Sequence, residues 1–171
     1  MRAALHALAV LAIASGLTGC LGYRLGEVKP STLKGIHKIA VTTFRNETYT
    51  PRVESLVTNT VIKQIQQDGT YEVTSIDKAD AVLDGTVKYV SRNPARSVRG
   101  NVLATTEFNL ALGVGWTMRA KDGHPIAGPG LIAGGTSFFV GSDVTTDERQ
   151  AIPLAAEDLA VRLVSQLTEG W

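Results

Sequence analysis

Few residues in this chain have types and spacings that suggest chemistry. Cys20 is the only cysteine among 171 residues, so no intramolecular disulfide can form and the thiol is left as a nucleophile or acceptor. His6, His37 and His124 are scattered, and no His/Cys/carboxylate group has the spacing of a zinc site. No nucleophile–base pair stands out, and the G-x-S-x-G signature is missing from the sequence. The stretch GPGLIAGGTS (128–137) lacks the Lys that a phosphate loop places before its Thr, so it reads as a flexible or close-packed glycine segment. The expectation is a non-enzyme that binds, with no cofactor and no metal.

Two groups of residues suggest recognition. Arg92, Arg96 and Arg99 cluster around Pro94, and guanidiniums so close in sequence can clamp phosphates or carboxylates bidentately. The alternative is a solvated hairpin tip. Lys121, in a turn, is a fourth candidate cation for a ligand. The second group is the small-residue face Ala111, Gly113 and Gly115, which is expected to be nearly bare and to let a partner's wall approach. The alternative is relief of crowding in a long twisted strand. Lys+Arg and Asp+Glu nearly balance, at 17 and 16. That excludes a strongly basic nucleic-acid binder, which needs surplus positive charge.

The position of Cys20 has its own explanation. Arg2 is followed by AALHALAVLAIASGLTG, an apolar run ending in small residues, which has the layout of a secretory signal peptide over 1–19. A buried N-terminal helix is the alternative. The run is too short for a comfortable span, which needs about 20 apolar residues. Leu17-Thr18-Gly19-Cys20 resembles a bacterial lipobox. That resemblance implies diacylglyceryl transfer to the Cys20 thiol, cleavage before it, and acylation of the new N-terminus. Each buried methylene of such an anchor contributes roughly 0.8 kcal/mol. Residue 21 is Leu and not the Asp of inner-membrane retention, which points to the outer membrane. The mature chain then has 152 residues, with 16 basic and 16 acidic side chains.

The elements that must position these residues follow from periodicity. Residues 20–35 carry Gly, Pro and Ser without a clear period and read as a tether, reaching at most roughly 50 Å; a single domain follows over 36–171. IHKIAVTTFRN (36–46) reads as a strand. Thr50 and Pro51 suit a helix start, Val53 to Ile65 follow one helix face, and Asp68-Gly69 ends it. TYEVTSI (70–76) is a second strand, and the helical crossover makes the pair parallel. AVLDGTVKYVSR (81–92) is a third strand and NPARSVRG (93–100) a loop. Over 107–119 the alternation is clear: Phe108, Leu110, Leu112, Val114, Trp116 and Met118 face one way, small and polar residues the other. KDGH (121–124) is a hairpin turn, and a last strand lies within 131–140. Thr145 and Glu148 have capping-box spacing ahead of a long apolar helix face from Ile152 to Leu167, with Pro153 in its first turn or kinking it. The expected fold is α+β: a two-layer sandwich of one mainly antiparallel four- to five-stranded sheet with two helices on one face, in the order β-α-β-β-β-β-α. The 92–101 loop and the 120–124 turn then lie at opposite ends of the sheet, and only a long ligand joins them.

Several strings together carry a family resemblance. GCLGYRLG after the signal peptide, IAVTTFRNETYTPRVESLVTNTVIKQI, DGTYEV, KADAVLDGTVKYVSRNP and AAEDLAVRLVSQL resemble the lipopolysaccharide-assembly lipoprotein family, LptE. The combination of C-x-G-Y-x-L, F-x-N-x-T and A-D-A-x-L-x-G is what makes the likeness specific. The resemblance implies an outer-membrane lipoprotein of the periplasmic leaflet that plugs a large LptD-like β-barrel partner and helps it assemble. It also implies that the protein binds lipopolysaccharide and, with the barrel, inserts it. The opening strand–helix–strand also resembles periplasmic domains of lipoproteins that bind other envelope proteins, such as cell-wall synthases or secretion channels. Members of that kind often carry long linkers, and the tether here is short.

Overall fold

The computed structural model describes residues 29–99 and 103–169, with the backbone alone at 98, 99, 103 and 104. The expected signal peptide, Cys20 and most of the tether lie outside the described residues. Among the described residues, six strands and two α-helices follow in the order β1 (Lys38–Val41), β2 (Arg45–Asn46), α1 (Val53–Asp68), β3 (Glu72–Val73), β4 (Ala81–Arg99), β5 (Leu103–Ala120), β6 (Pro125–Phe139) and α2 (Val144–Glu169), with short 3-10 turns at Ser31–Leu33 and Ile76–Lys78. The sheet runs β3-β1-β4-β5-β6, with β2 also beside β4.

The fold is α+β as expected, but its sheet is larger and mixed. β3, β1 and β2 all pair in parallel, β1 with both β3 and β4, and β2 with β4. Only the long β4–β5–β6 meander is antiparallel. The cause is the α1 crossover, which makes β3 parallel to β1. A short return over residues 74–80 then starts β4 on the other side of β1, again in parallel. The 36–46 strand divides in two because Phe44 turns inward: its N–H donates to the Thr58 hydroxyl at 3.0 Å, and its ring lies over Gly85, where any Cβ would overlap it.

The segment expected as a loop over 93–100 is strand up to Arg99, paired with β5 down to Arg99–Leu103. Pro94 sits in this ladder opposite Phe108. Above Val87, β4 has no neighbour on its other side among the described residues, so Pro94 lies on an open edge of the sheet, where proline is tolerated. β6 is paired only as far as Glu107–Phe139. Beyond that, β4 and β5 continue alone as a projecting two-stranded ribbon.

The core lies between the helices and one face of the sheet. Leu83, Val87, Leu110, Leu112, Val114 and Met118 are buried there against Val57, Val61 and Ile65 of α1 and Ala155, Leu159 and Leu163 of α2. Each such aliphatic side chain contributes about 1.5–3 kcal/mol on burial. Gly134 lets α2 lie directly on β6, since a Cβ there would overlap the backbone of Ala155 and Leu159. The helix starts differ from expectation. Thr50 does not cap α1; Arg52 precedes it with φ 64 and no side-chain cap bond. Asp143, not Thr145, caps α2: its carboxylate accepts the Thr145 N–H at 2.9 Å and the Thr146 hydroxyl at 2.6 Å. An Asp offers an ionised acceptor where Thr offers a neutral one. Pro153 lies inside α2 and beyond its first turn. The α1 end at Gly69 (φ 77) and the turn at 121–124, closed by the Ala120 N–H on the His124 carbonyl at 2.9 Å, are as expected.

Candidate functional site

With both helices on one face, the other face of the sheet carries no helix among the described residues. Its side chains follow from strand parity. On β4 these are Val82, Asp84 and Thr86, and on β5 Arg119, Thr117, Gly115, Gly113 and Ala111. The β6 contribution is Leu131, Ala133, Gly135, Ser137 and Phe139, from the pairings Gly115–Leu131 through Glu107–Phe139. At Lys88 the β4–β5 register slips by one residue. Above this bulge the parity of β4 reverses, so Tyr89 faces out.

The lower half of this face is charged. Arg119 Nε donates to Asp84 at 3.0 Å, and the Thr42 hydroxyl donates to the same carboxylate at 2.9 Å. Lys88 pairs with Glu47 at 2.9 Å. Arg45, whose β2 position lies beside Thr86, has no ion pair among the described residues. Arg45, Asp84, Lys88, Arg119 and Leu131 line a concavity of about 370 Å³. The upper half is flatter and carries Phe139, 69% exposed, at the free edge. Chemically the face offers bidentate guanidinium and ammonium contacts for anions, beside apolar surface.

The sequence-derived candidates are distributed over both faces and both ends. Arg92 lies on the helix side: Nη1 bonds Glu148 at 2.6 Å, and the guanidinium stacks 4.9 Å over Phe108. Glu148 therefore serves Arg92 and not a capping box. Arg96 lies opposite Glu107 and approaches it at 3.8 Å. Arg99 occupies the last ribbon pair, with its side chain outside the description. Lys121 sits in the turn at the far end of β5, about 50 Å away by strand rise. The three arginines and Lys121 thus do not converge. Ala111, Gly113 and Gly115 do share the helix-free face, but the glycines are not bare. The Tyr89 ring lies on Gly113, and a Cβ on Gly115 would come 3.2 Å from Lys88 Cε. Anything docking here meets Tyr89 and Lys88 first. Arg45, Lys88 and Asp84 were not singled out by sequence, although the alternation in AVLDGTVK places Asp84 and Thr86 opposite the core.

No group of His, Cys, Asp and Glu able to hold a metal occurs among the described residues. His37 contributes its backbone N–H to Asp80 at 3.0 Å. His124 Nδ1 contacts the Asp122 carboxylate in the exposed turn. The backbone N–H bonds from Lys38 and His37 hold the Asp80 carboxyl below the usual aspartate range.

Comparison with known proteins adds family and fold. A family model described as LptE, lipopolysaccharide-assembly, matches residues 36–167. No curated protein matches the sequence. A minor lipoprotein from Acinetobacter baumannii is similar in structure, with TM-score 0.54 and 13% identity over 80% of this chain and 95% of that one. A hypothetical protein from Chlamydia trachomatis superposes with TM-score 0.57 and 9% identity, over 79% of this chain and 97% of its own. PelC from Paraburkholderia phytofirmans, described as a dodecamer, gives TM-score 0.51 and 17% identity over 84% and 95%. At such identities these likenesses concern the fold alone.

Proposed function

The chain belongs to the LptE lipopolysaccharide-assembly family, and from that premise we propose that it is a lipid-anchored outer-membrane lipoprotein that plugs and assists a large LptD-like β-barrel. In this reading Cys20 carries the lipid, the leader 1–19 is removed, residues 20–35 tether the domain to the periplasmic leaflet, and the domain over 36–171 enters the barrel. The role is one of binding, not catalysis. The observation that supports it is the helix-free sheet face. An open sheet face with fixed ion pairs, small residues and exposed Leu131 and Phe139 suits close apposition to a polar barrel wall, whereas the helix-covered face is occupied by the protein's own core. The barrel side would meet Ala111, Gly113 and Gly115 through the Tyr89 and Lys88 side chains that cover the glycines. Anionic groups of lipopolysaccharide would be met by Arg96 and Arg99 on the ribbon, with Arg92 and Lys121 as separate and weaker candidates.

The test is capture of the tagged, lipidated protein from its own membrane in mild detergent, with mass spectrometry of what accompanies it. A large outer-membrane β-barrel recovered in about equal amount is expected. Recovery of a peptidoglycan synthase or a secretion channel without such a barrel would overturn the reading.

A further inference from the structure

The F-x-N-x-T motif, Phe44 to Thr48, turns Arg45 and Glu47 toward the helix-free face and builds a second surface on the helix side through Asn46 and the loop that follows. Asn46 organises it: Nδ2 donates to the Thr50 carbonyl and to Glu54 Oε2, both at 2.9 Å, while Oδ1 accepts the Thr48 N–H and hydroxyl, both at 2.8 Å. The Thr48 hydroxyl oxygen in turn accepts the Thr50 N–H at 3.1 Å. The loop between β2 and α1 is thereby fixed from within, yet it throws Tyr49 wholly into solvent.

Beside this loop, between the first turn of α1 and the second and third turns of α2, is a cavity of about 350 Å³. Pro51, Val53, Leu56 and Ile152 give it an apolar lining, and Arg52 and Arg149 supply its charge. Neither guanidinium makes an ion pair or hydrogen bond among the described residues. The acids nearby are engaged elsewhere: Glu54 accepts from Asn46, and Asp143, which feels the Arg149 charge, caps α2. An apolar cavity with two guanidiniums held in no ion pair among the described residues selects an occupant that is both apolar and anionic.

We propose that this loop and cavity dock an acidic, apolar segment of a partner protein. A carboxylate of that segment meets Arg52 and Arg149, and an aliphatic or aromatic side chain enters the cavity alongside Tyr49. Tyr and Arg are the residue types that dominate interface energetics. A loop already held by its own hydrogen bonds loses little freedom on binding, which favours a protein partner over incidental contact. The surface belongs to the helix layer, so it can be occupied while the opposite sheet face engages a barrel or a ligand. It adds a second partner surface to the proposed function and does not depend on it.

The experiment places a photoreactive residue by Tyr49→p-benzoylphenylalanine in the lipidated full-length protein, irradiates native membranes and maps the adduct by mass spectrometry. The expected adduct is a protein segment with Asp or Glu close to an apolar residue, and its yield falls at least tenfold in R52E/R149E. The milder R52Q/R149Q pair, which adds no new charge, should lower the yield in the same direction if the reversal disturbs folding. The proposal is overturned if the yield at residue 49 does not exceed that from Lys63→p-benzoylphenylalanine on exposed α1 surface. It is equally overturned if the adducts are lipid alone, or if neither charge variant changes the yield.

Discussion

The two faces of β5 are held by different physics. On one, Leu110, Leu112, Val114 and Met118 are at most 1% exposed and packed under two helices. On the other, across the same backbone, Arg119 and Asp84 pair in water, Tyr89 lies over Gly113, and Lys88 arches over Gly115. Burial on the first face accounts for most of the stability, whereas exposed ion pairs on the second contribute little. Stability and recognition are therefore carried by opposite sides of the same strands, and substitutions should separate them.

The strongest way to break that separation is in the core. Leu159→Ala should cost about 2–5 kcal/mol in denaturant unfolding, with partner capture per folded molecule unchanged; a loss below about 1 kcal/mol would mean that α2 does not hold the sheet. Gly134→Val comes next. Its side chain overlaps the Ala155 and Leu159 backbone, so α2 must lift, at a cost of about 1–3 kcal/mol. A thermal midpoint equal to that of the parent would show that the close helix–strand approach is not needed. Tyr89→Ala should cost only about 0.2–1 kcal/mol as a lost cross-strand contact, but it should change barrel capture measurably, because it removes the cover from Gly113. K88E/R119E should move stability by no more than about 1 kcal/mol while lowering barrel recovery. An unfolding loss of several kcal/mol from that pair would erase the distinction between the faces.

The smallest effect concerns pH, and it belongs to neither face. Asp80 fastens the start of β1 by accepting the Lys38 N–H at 2.8 Å and the His37 N–H at 3.0 Å. These bonds hold its carboxyl below the ordinary range. A carboxyl depressed in the folded state stabilises it fully above the unfolded value of about 3.9, and that stabilisation fades as pH falls through the folded value. Unfolding free energy should drop more steeply below about pH 4 in the parent than in Asp80→Asn. Identical slopes would remove Asp80 from the account.

Much of the core was legible because burial on one side leaves a period. Phe108 to Met118 alternate as a half-buried strand must, and Ile152 to Leu167 repeat as a helix face must. The parallel β1–β3 pair followed from its crossover length. What escaped notice depended on contacts between strands. Residues 93–99 have loop composition, yet β5 supplies the ladder partners that make them strand. The bulge at Lys88 reverses side-chain parity and sends Arg92 toward α2, and a second irregularity between Pro94 and Arg96 turns Arg96 to the other face. Gly113 looked bare because the ring that covers it comes from another strand. Asp143 took the cap from Thr145 through a carboxylate that spacing rules do not rank. Arg45 and Lys88 were passed over because a cation on an alternating strand signals only exposure until its neighbours are known.

The floor of the domain receives the N-terminal chain. Lys29, the first described residue, is buried with Nζ on the Ile36 carbonyl at 2.9 Å and 4.6 Å over the Tyr71 ring. The Tyr71 hydroxyl donates to Leu167 in the last turns of α2 at 2.7 Å. Lys29 is thus linked through Tyr71 to the C-terminal end of α2. The place where the N-terminal chain enters the domain is thereby fastened to β3 and to the end of α2 by side chains as well as by the backbone.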